Sequence, residues 1–184
     1  MKIRVDYVSN SSSSSFIFIS NENKEKLNFG GEKVYVPCDR GTYAFGWAFK
    51  RYSDFWSKIN WCAIMLAEIH SFKDRKRVVD EDTPAWARDL NKHETKWAKK
   101  YNQMLNLFKK VCLEKFNLNV ELSMQNIDEL YAYIDHQSGL LEAPQNAEMF
   151  DSYAKMANFL GSTNSYIQGG NDNYDPHEVR KNWD

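Results

Sequence analysis

From Thr83 to Phe116 the chain carries an apolar stripe compatible with little besides a helix. Trp86, Leu90, His93, Trp97, Tyr101, Met104, Phe108 and Val111 recur at spacings of four and three, the interval that brings side chains onto one face of an α-helix. Thr83 stands before Pro84 in the order of a cap residue followed by a proline at the first helical position, where a missing backbone donor costs nothing. The pattern predicts one long amphipathic helix to about Phe116, with Lys92, Lys96, Lys99, Lys100, Lys109 and Lys110 mostly off the buried stripe. His93 falls on the stripe and is expected to pack in the core rather than to act as a ligand. A stripe of this length needs other elements to cover it, and the rest of the chain must supply them.

Before this helix the period is mostly two. Ile3, Val5 and Tyr7 alternate with Arg4 and Asp6, predicting a strand over Ile3–Val8. Ser9 to Ser15 reads as a hairpin loop or tight connection, and Phe16–Ile19 as a short strand, apolar on both faces and therefore central. Gly30-Gly31 signals a turn before a strand at Lys33–Pro37, and aromatic-rich Tyr43–Phe49 predicts a fourth. Ser53 is positioned to cap a helix through Phe55, Trp56, Ile59, Ala63, Leu66 and Ile69, which with the long helix would form an antiparallel pair. Later come short strands at Asn119–Ser123 and Glu129–Ile134, a helix over Ala147–Leu160 stopped by Gly161, a last strand at Ser165–Gln168, and a polar coil from Gly169. The expected architecture is α+β: a single domain over 1–184 in which an N-terminal, mostly antiparallel β-sheet packs against two to three helices.

Composition bounds the function classes. The chain is 42% hydrophobic and 15% aromatic, which favours a folded core with some rings left for surface contacts. No apolar run approaches the roughly 18 residues that cross a bilayer, and no signal peptide is apparent, so a cytoplasmic protein without a membrane partner is expected. Cys38, Cys62 and Cys112 are odd in number and form no C-x-x-C pair, predicting free thiols. The net charge of −1 conceals a division: Ser71–Leu118 holds twelve Lys/Arg against seven Asp/Glu, and Asn119–Asp184 three against eleven. Such faces are expected to attract one another within the fold, the other reading being a basic docking surface for an acidic partner.

Candidate chemistry gathers at two polar segments. Asp135, His136 and Asp172 offer carboxylate and imidazole groups for a divalent metal or for acid–base work, with Asn171 and Asn173 to orient a substrate, provided that the Asp135–Ser138 and Asn171–Asn173 turns meet. Isolated turn residues of these types ordinarily bond their own backbone. Ser11, Ser12 and Ser13 could bind an anion through hydroxyls and consecutive amides, or simply form a loop. Lys96, Lys99 and Lys100, beside Trp97 and Tyr101, are the candidates for nucleic-acid contact, although a pI near 6.4 is far from that of a basic domain. No glycine-rich phosphate loop or nucleophile elbow is present, and Gly30-Gly31 and Gly169-Gly170 read as turns.

The segment Met1-Lys2-Ile3-Arg4, then Tyr7-Val8-Ser9-Asn10, Ser11–Ser15 and Phe16, resembles the N-terminus of uncharacterised bacteriophage and prophage proteins, with Tyr7 where phenylalanine is usual. Phe45-Gly46-Trp47, Ser57–Trp61, Tyr133–Ser138, Ser165-Tyr166-Ile167 and Gly170–Asn173 look like further parts of such proteins. The resemblance implies a phage accessory product that takes over a host or blunts its defences by stoichiometric binding of a host protein. A metal-dependent hydrolase acting on a nucleotide or nucleic acid, and a nucleic-acid binder using the Lys-rich helix, are the alternative expectations.

Overall fold

The helix of Phe55–Asp74 (α1) is enclosed on every side: each residue from Ser57 to Ala67 is buried. Such a helix belongs to the interior of a layered fold, not to its surface. It is started by Asp54, whose carboxylate accepts from the Ser57 N–H at 2.8 Å, and not by Ser53 as expected. A cap oxygen reaches the amide two or three residues ahead, so the residue immediately before the helix wins that role.

The computed structural model describes residues 13–38, 45, 50–74, 83–123 and 144–171. Within these the fold is α+β, as expected. In chain order the elements are β1 (Ser13–Phe18), β2 (Glu32–Pro37), β3 (Arg51–Tyr52), α1, α2 (Ala85–Phe116), β4 (Leu118–Ser123), a 3-10 helix (Pro144–Asp151), α3 (Tyr153–Gly161) and β5 (Tyr166–Asn171). The strands expected at Ile3–Val8 and Glu129–Ile134 lie outside the described residues, as does Tyr43–Phe49 apart from Phe45, which sits in a turn.

Helix α2 ends at Phe116 as its periodicity demanded, but its start differs. Pro84 itself takes the capping position, with no side-chain cap, and its carbonyl accepts from Ala87 and Arg88 N–H groups at 3.0 and 3.1 Å. Asn117 closes the helix in the left-handed conformation, its N–H turning back to the Cys112 and Leu113 carbonyls. Ring contacts pair Phe55 with Phe116 and His70 with Tyr101, early with late along both helices, so α1 and α2 are antiparallel. The stripe's phase corrects one expectation. His93 is exposed, and its neighbour Glu94 is buried at 1% exposure, because Leu90, Glu94, Trp97, Tyr101, Met104 and Phe108 follow the helical period and a histidine at 93 would point about 100° away.

The sheets are not the N-terminal sheet expected from the order of strands. An antiparallel sheet has the order β1-β5-β3, so the last strand is its centre, and β2 pairs in parallel with β4. A parallel pair needs a long crossover, which β3, α1 and α2 provide. The described part of the serine run is strand where a loop was expected: Ser13, Ser14 and Ser15 face Asn171, Gly170 and Gly169 in register, so Gly169-Gly170, expected as a turn, and Asn171 are strand as well. Nor is β1 central: it is an edge strand of its sheet, with Ser15 and Ile17 buried and the second apolar face, Phe16 and Phe18, exposed.

A buried side chain from outside the sheet meets β1 at Ser15. Asn146, fully buried in the 3-10 helix, donates its amide to the Ser15 carbonyl at 2.7 Å, while its own carbonyl accepts from the Trp61 indole at 3.2 Å. The Ser15 hydroxyl donates to the Phe45 carbonyl at 3.1 Å. The helix expected over Ala147–Leu160 is consequently two: the 3-10 helix sets Asn146, and Ser152 restarts the chain by capping the Lys155 N–H at 3.2 Å. Gly161 lies against Phe116, whose ring would stand 3.3 Å from any added Cβ. One buried cluster runs through β1, α1, α2, β4, the 3-10 helix, α3 and β5.

Lys58 is the unusual member of this interior. At 1% exposure its ammonium donates to the Ser162 carbonyl at 2.8 Å, just past the C-terminus of α3, where helix carbonyls favour a cation. Burial pushes its pKa down to about 8, against the upward pull of Glu25, Asp54 and Cys62.

Two outcomes are expected. Asn146→Ala leaves the Ser15 carbonyl without its buried donor and lowers the unfolding free energy by about 1–3 kcal/mol, seen as a lower urea midpoint at unchanged slope. For Lys58, the folded state releases its proton near pH 8 and the unfolded chain near 10.5, so between those values raising pH favours the fold. Stability measured against Lys58→Met therefore shifts in favour of the natural protein by up to about 3 kcal/mol across that window; a difference that stays flat with pH would contradict the assignment.

Candidate functional site

Register in the antiparallel sheet decides which side chains share a surface. Directly opposed residues project to the same side, so Phe16 with Gln168, Phe18 with Tyr166, and Arg51 with Gln168 form the outer face, while Ile17, Ile167 and Tyr52 turn inward. Across the three strands runs a stacked row. The Phe18 ring lies 5.3 Å from that of Tyr166 at 24°, and the Arg51 guanidinium sits 4.2 Å from the Tyr166 centroid on its other flank. Arg51 Nε also donates to Gln168 Oε1 at 3.4 Å, and Gln168 Nε2 donates to the Gly169 carbonyl at 2.9 Å, fixing the amide between Phe16 and Arg51. Phe16 is 47% exposed and Phe18 39%. Two half-exposed phenylalanines beside a stacked tyrosine and an arginine make a rigid apolar patch with one cationic edge.

Sequence reasoning missed this face. An apolar residue on each face of Phe16–Ile19 predicts a central strand, whereas β1 is an edge strand with one of its apolar faces exposed. The available signal was the alternation Ser15-Phe16-Ile17-Phe18, whose small residue marks the buried side only once Gly169 is known to lie opposite.

The residues expected to carry chemistry are placed unevenly. Asp135, His136, Asp172, Asn173, Ser11 and Ser12 lie outside the described residues, and with them the expected metal or acid–base cluster. Ser13 and Asn171 are brought together as register partners at the end of the β1–β5 ladder, so Asn171 belongs to a strand and not to the turn expected for it. Among the described residues no group of three or more His, Cys, Asp or Glu side chains is arranged to hold a metal ion. Burial pushes the thiols of Cys62 and Cys112 up, which keeps them protonated and poor nucleophiles. Cys38 is buried too, its Sγ 3.7 Å from the Val36 carbonyl.

Lys96, Lys99 and Lys100 are exposed on α2, as expected from their position off the stripe. The division of charge acts partly within the fold. Lys109 on α2 reaches Glu121 on β4 at 2.6 Å and holds that carboxyl below the usual carboxylate range, and Lys110 stands 5.9 Å over the Tyr153 ring of α3. No helix among the described residues is long and apolar enough to cross a membrane. No protein-family model, no curated protein and no solved structure matches the chain.

Proposed function

We propose that this chain acts by binding another protein through the outer face of the β1-β5-β3 sheet, as a phage-encoded accessory protein of the kind that its N-terminal segment resembles, with a host protein as the partner. The observation that carries the reading is the row Phe18–Tyr166–Arg51, with Phe16 exposed beside it. Aromatic rings and arginine are the residue types that dominate the centres of protein interfaces, because they bury much area for few frozen torsions and Arg adds directed donors. Strands hold these groups in place before a partner arrives, which reduces the ordering cost of association. The partner surface that fits is apolar with a carboxylate at its margin, placed to meet Arg51.

The test compares capture from bacterial extract by the natural chain and by the double variant Phe16→Ser/Phe18→Ser, followed by titration of the purified partner. Both substitutions fall on exposed positions, so the circular dichroism spectrum is expected to stay unchanged. The expected result is one protein retained stoichiometrically by the natural chain, with affinity at least tenfold weaker for the double variant, equivalent to about 1.4 kcal/mol. A partner bound equally by both proteins, or turnover of a small substrate with no retained protein, would remove the sheet face from the function.

A further inference from the structure

The exposed side of α2 carries a second, chemically different surface. Between Ala85 and Lys110 the exposed charged positions are Arg88, Asp89, Lys92, Lys96, Lys99, Lys100 and Lys110, and the remaining acid of this stretch, Glu94, is turned into the core. At about 100° per residue, Arg88, Lys92, Lys96 and Lys99 fall within an arc of about 80°, with Lys100 at its margin. At about 1.5 Å per residue these five cations line up over about 18 Å.

Two lysines elsewhere in the fold are held in ion pairs. Lys109 is paired with Glu121, and Lys155 with Glu148 and Asp151. Among the described residues, Lys92, Lys96, Lys99 and Lys100 have no acidic side chain within the 4.0 Å of an ion pair. Among the described residues the Lys109–Glu121 pair ties the end of α2 to β4, whereas the exposed row from Arg88 to Lys100 holds five cations against one exposed acid, Asp89. The self-repulsion of that line is relieved by a polyanion with charges in a similarly straight, rigid row.

We infer that the exposed face of α2 from Arg88 to Lys100 binds the phosphate backbone of duplex DNA, independently of the sheet face and its protein partner. Duplex is favoured over single strands by the placement of Trp97 and Tyr101, the tryptophan and tyrosine beside these lysines. Single-strand binders stack bases on exposed aromatics, whereas Trp97 is half-buried against the core with Lys100 positioned 5.4 Å from its centroid, and Tyr101 is buried. Phosphate contacts alone carry no sequence information, so the binding is sequence-independent.

The test is fluorescence anisotropy with the full chain, a labelled duplex of mixed sequence, the same sequence as a single strand, and labelled poly-glutamate, from about 50 to 200 mM salt. Duplex binding with a log–log salt slope of about −4 is expected for four to five phosphate contacts. The triple variant Lys92→Gln/Lys96→Gln/Lys99→Gln is expected to bind at least tenfold more weakly with a slope of about −1 to −2, while Phe16→Ser/Phe18→Ser binds DNA as the natural chain does. Tighter binding of the single strand, or of poly-glutamate, would overturn the assignment in favour of a stacking site or an acidic protein surface. Absence of duplex binding at about 50 mM salt, or binding indifferent to the triple substitution, would overturn it outright.

Discussion

The amide of Asn146 joins three elements that no local stretch of sequence relates. Its side chain satisfies a carbonyl of β1, its backbone satisfies the indole of α1, and its own 3-10 helix leads directly into α3. A buried amide of this kind is unforgiving, because any strand register that misplaces the Ser15 carbonyl leaves polar groups stranded in an apolar interior. The position of β1 on β5 is thus specified chemically as well as by its alternating burial. Everything on the outer face inherits that register: Phe16 and Phe18 are exposed because Ser15 and Ile17 are not.

Around this seam α1 serves as the axis. Its buried stretch from Ser57 to Ala67 holds a single charged residue, Lys58, and that ammonium has a carbonyl to meet. The antiparallel partner α2 is buried along one stripe only, so it divides the protein's charge. Near its C-terminal end Lys109 pairs with Glu121 of β4, and from Arg88 to Lys100 its exposed charged residues are basic apart from Asp89. An aromatic-arginine sheet face and a lysine-lined helix face are therefore separate consequences of the same arrangement, one set by strand register and the other by helical phase.

Much of the helical part was readable beforehand. The stripe from Leu90 to Val111 and the stop at Phe116 depend on residues three or four apart, and a helix brings such residues together whatever the rest of the chain does. For the same reason the exposed lysines of α2 were identified correctly. His93 and Glu94 show where this reasoning fails: residue type favoured the histidine for the core, but the phase imposed by Tyr101, Met104 and Phe108 turned Glu94 inward. The apolar residues before Ser152 suit a regular helix equally well, because they alone do not reveal the demand made by the Ser15 carbonyl.

The sequence by itself determined where α1 and α2 run and which face of α2 carries charge, since both follow from spacing along a single segment. Tertiary structure alone decided that serines pair with glycines between opposite ends of the chain, that β2 finds β4 across two helices, and that Phe18, Tyr166 and Arg51 form one row. Strand pairing is a contact between distant segments, and its partner is selected by steric fit and hydrogen-bond satisfaction after the chain has closed on itself.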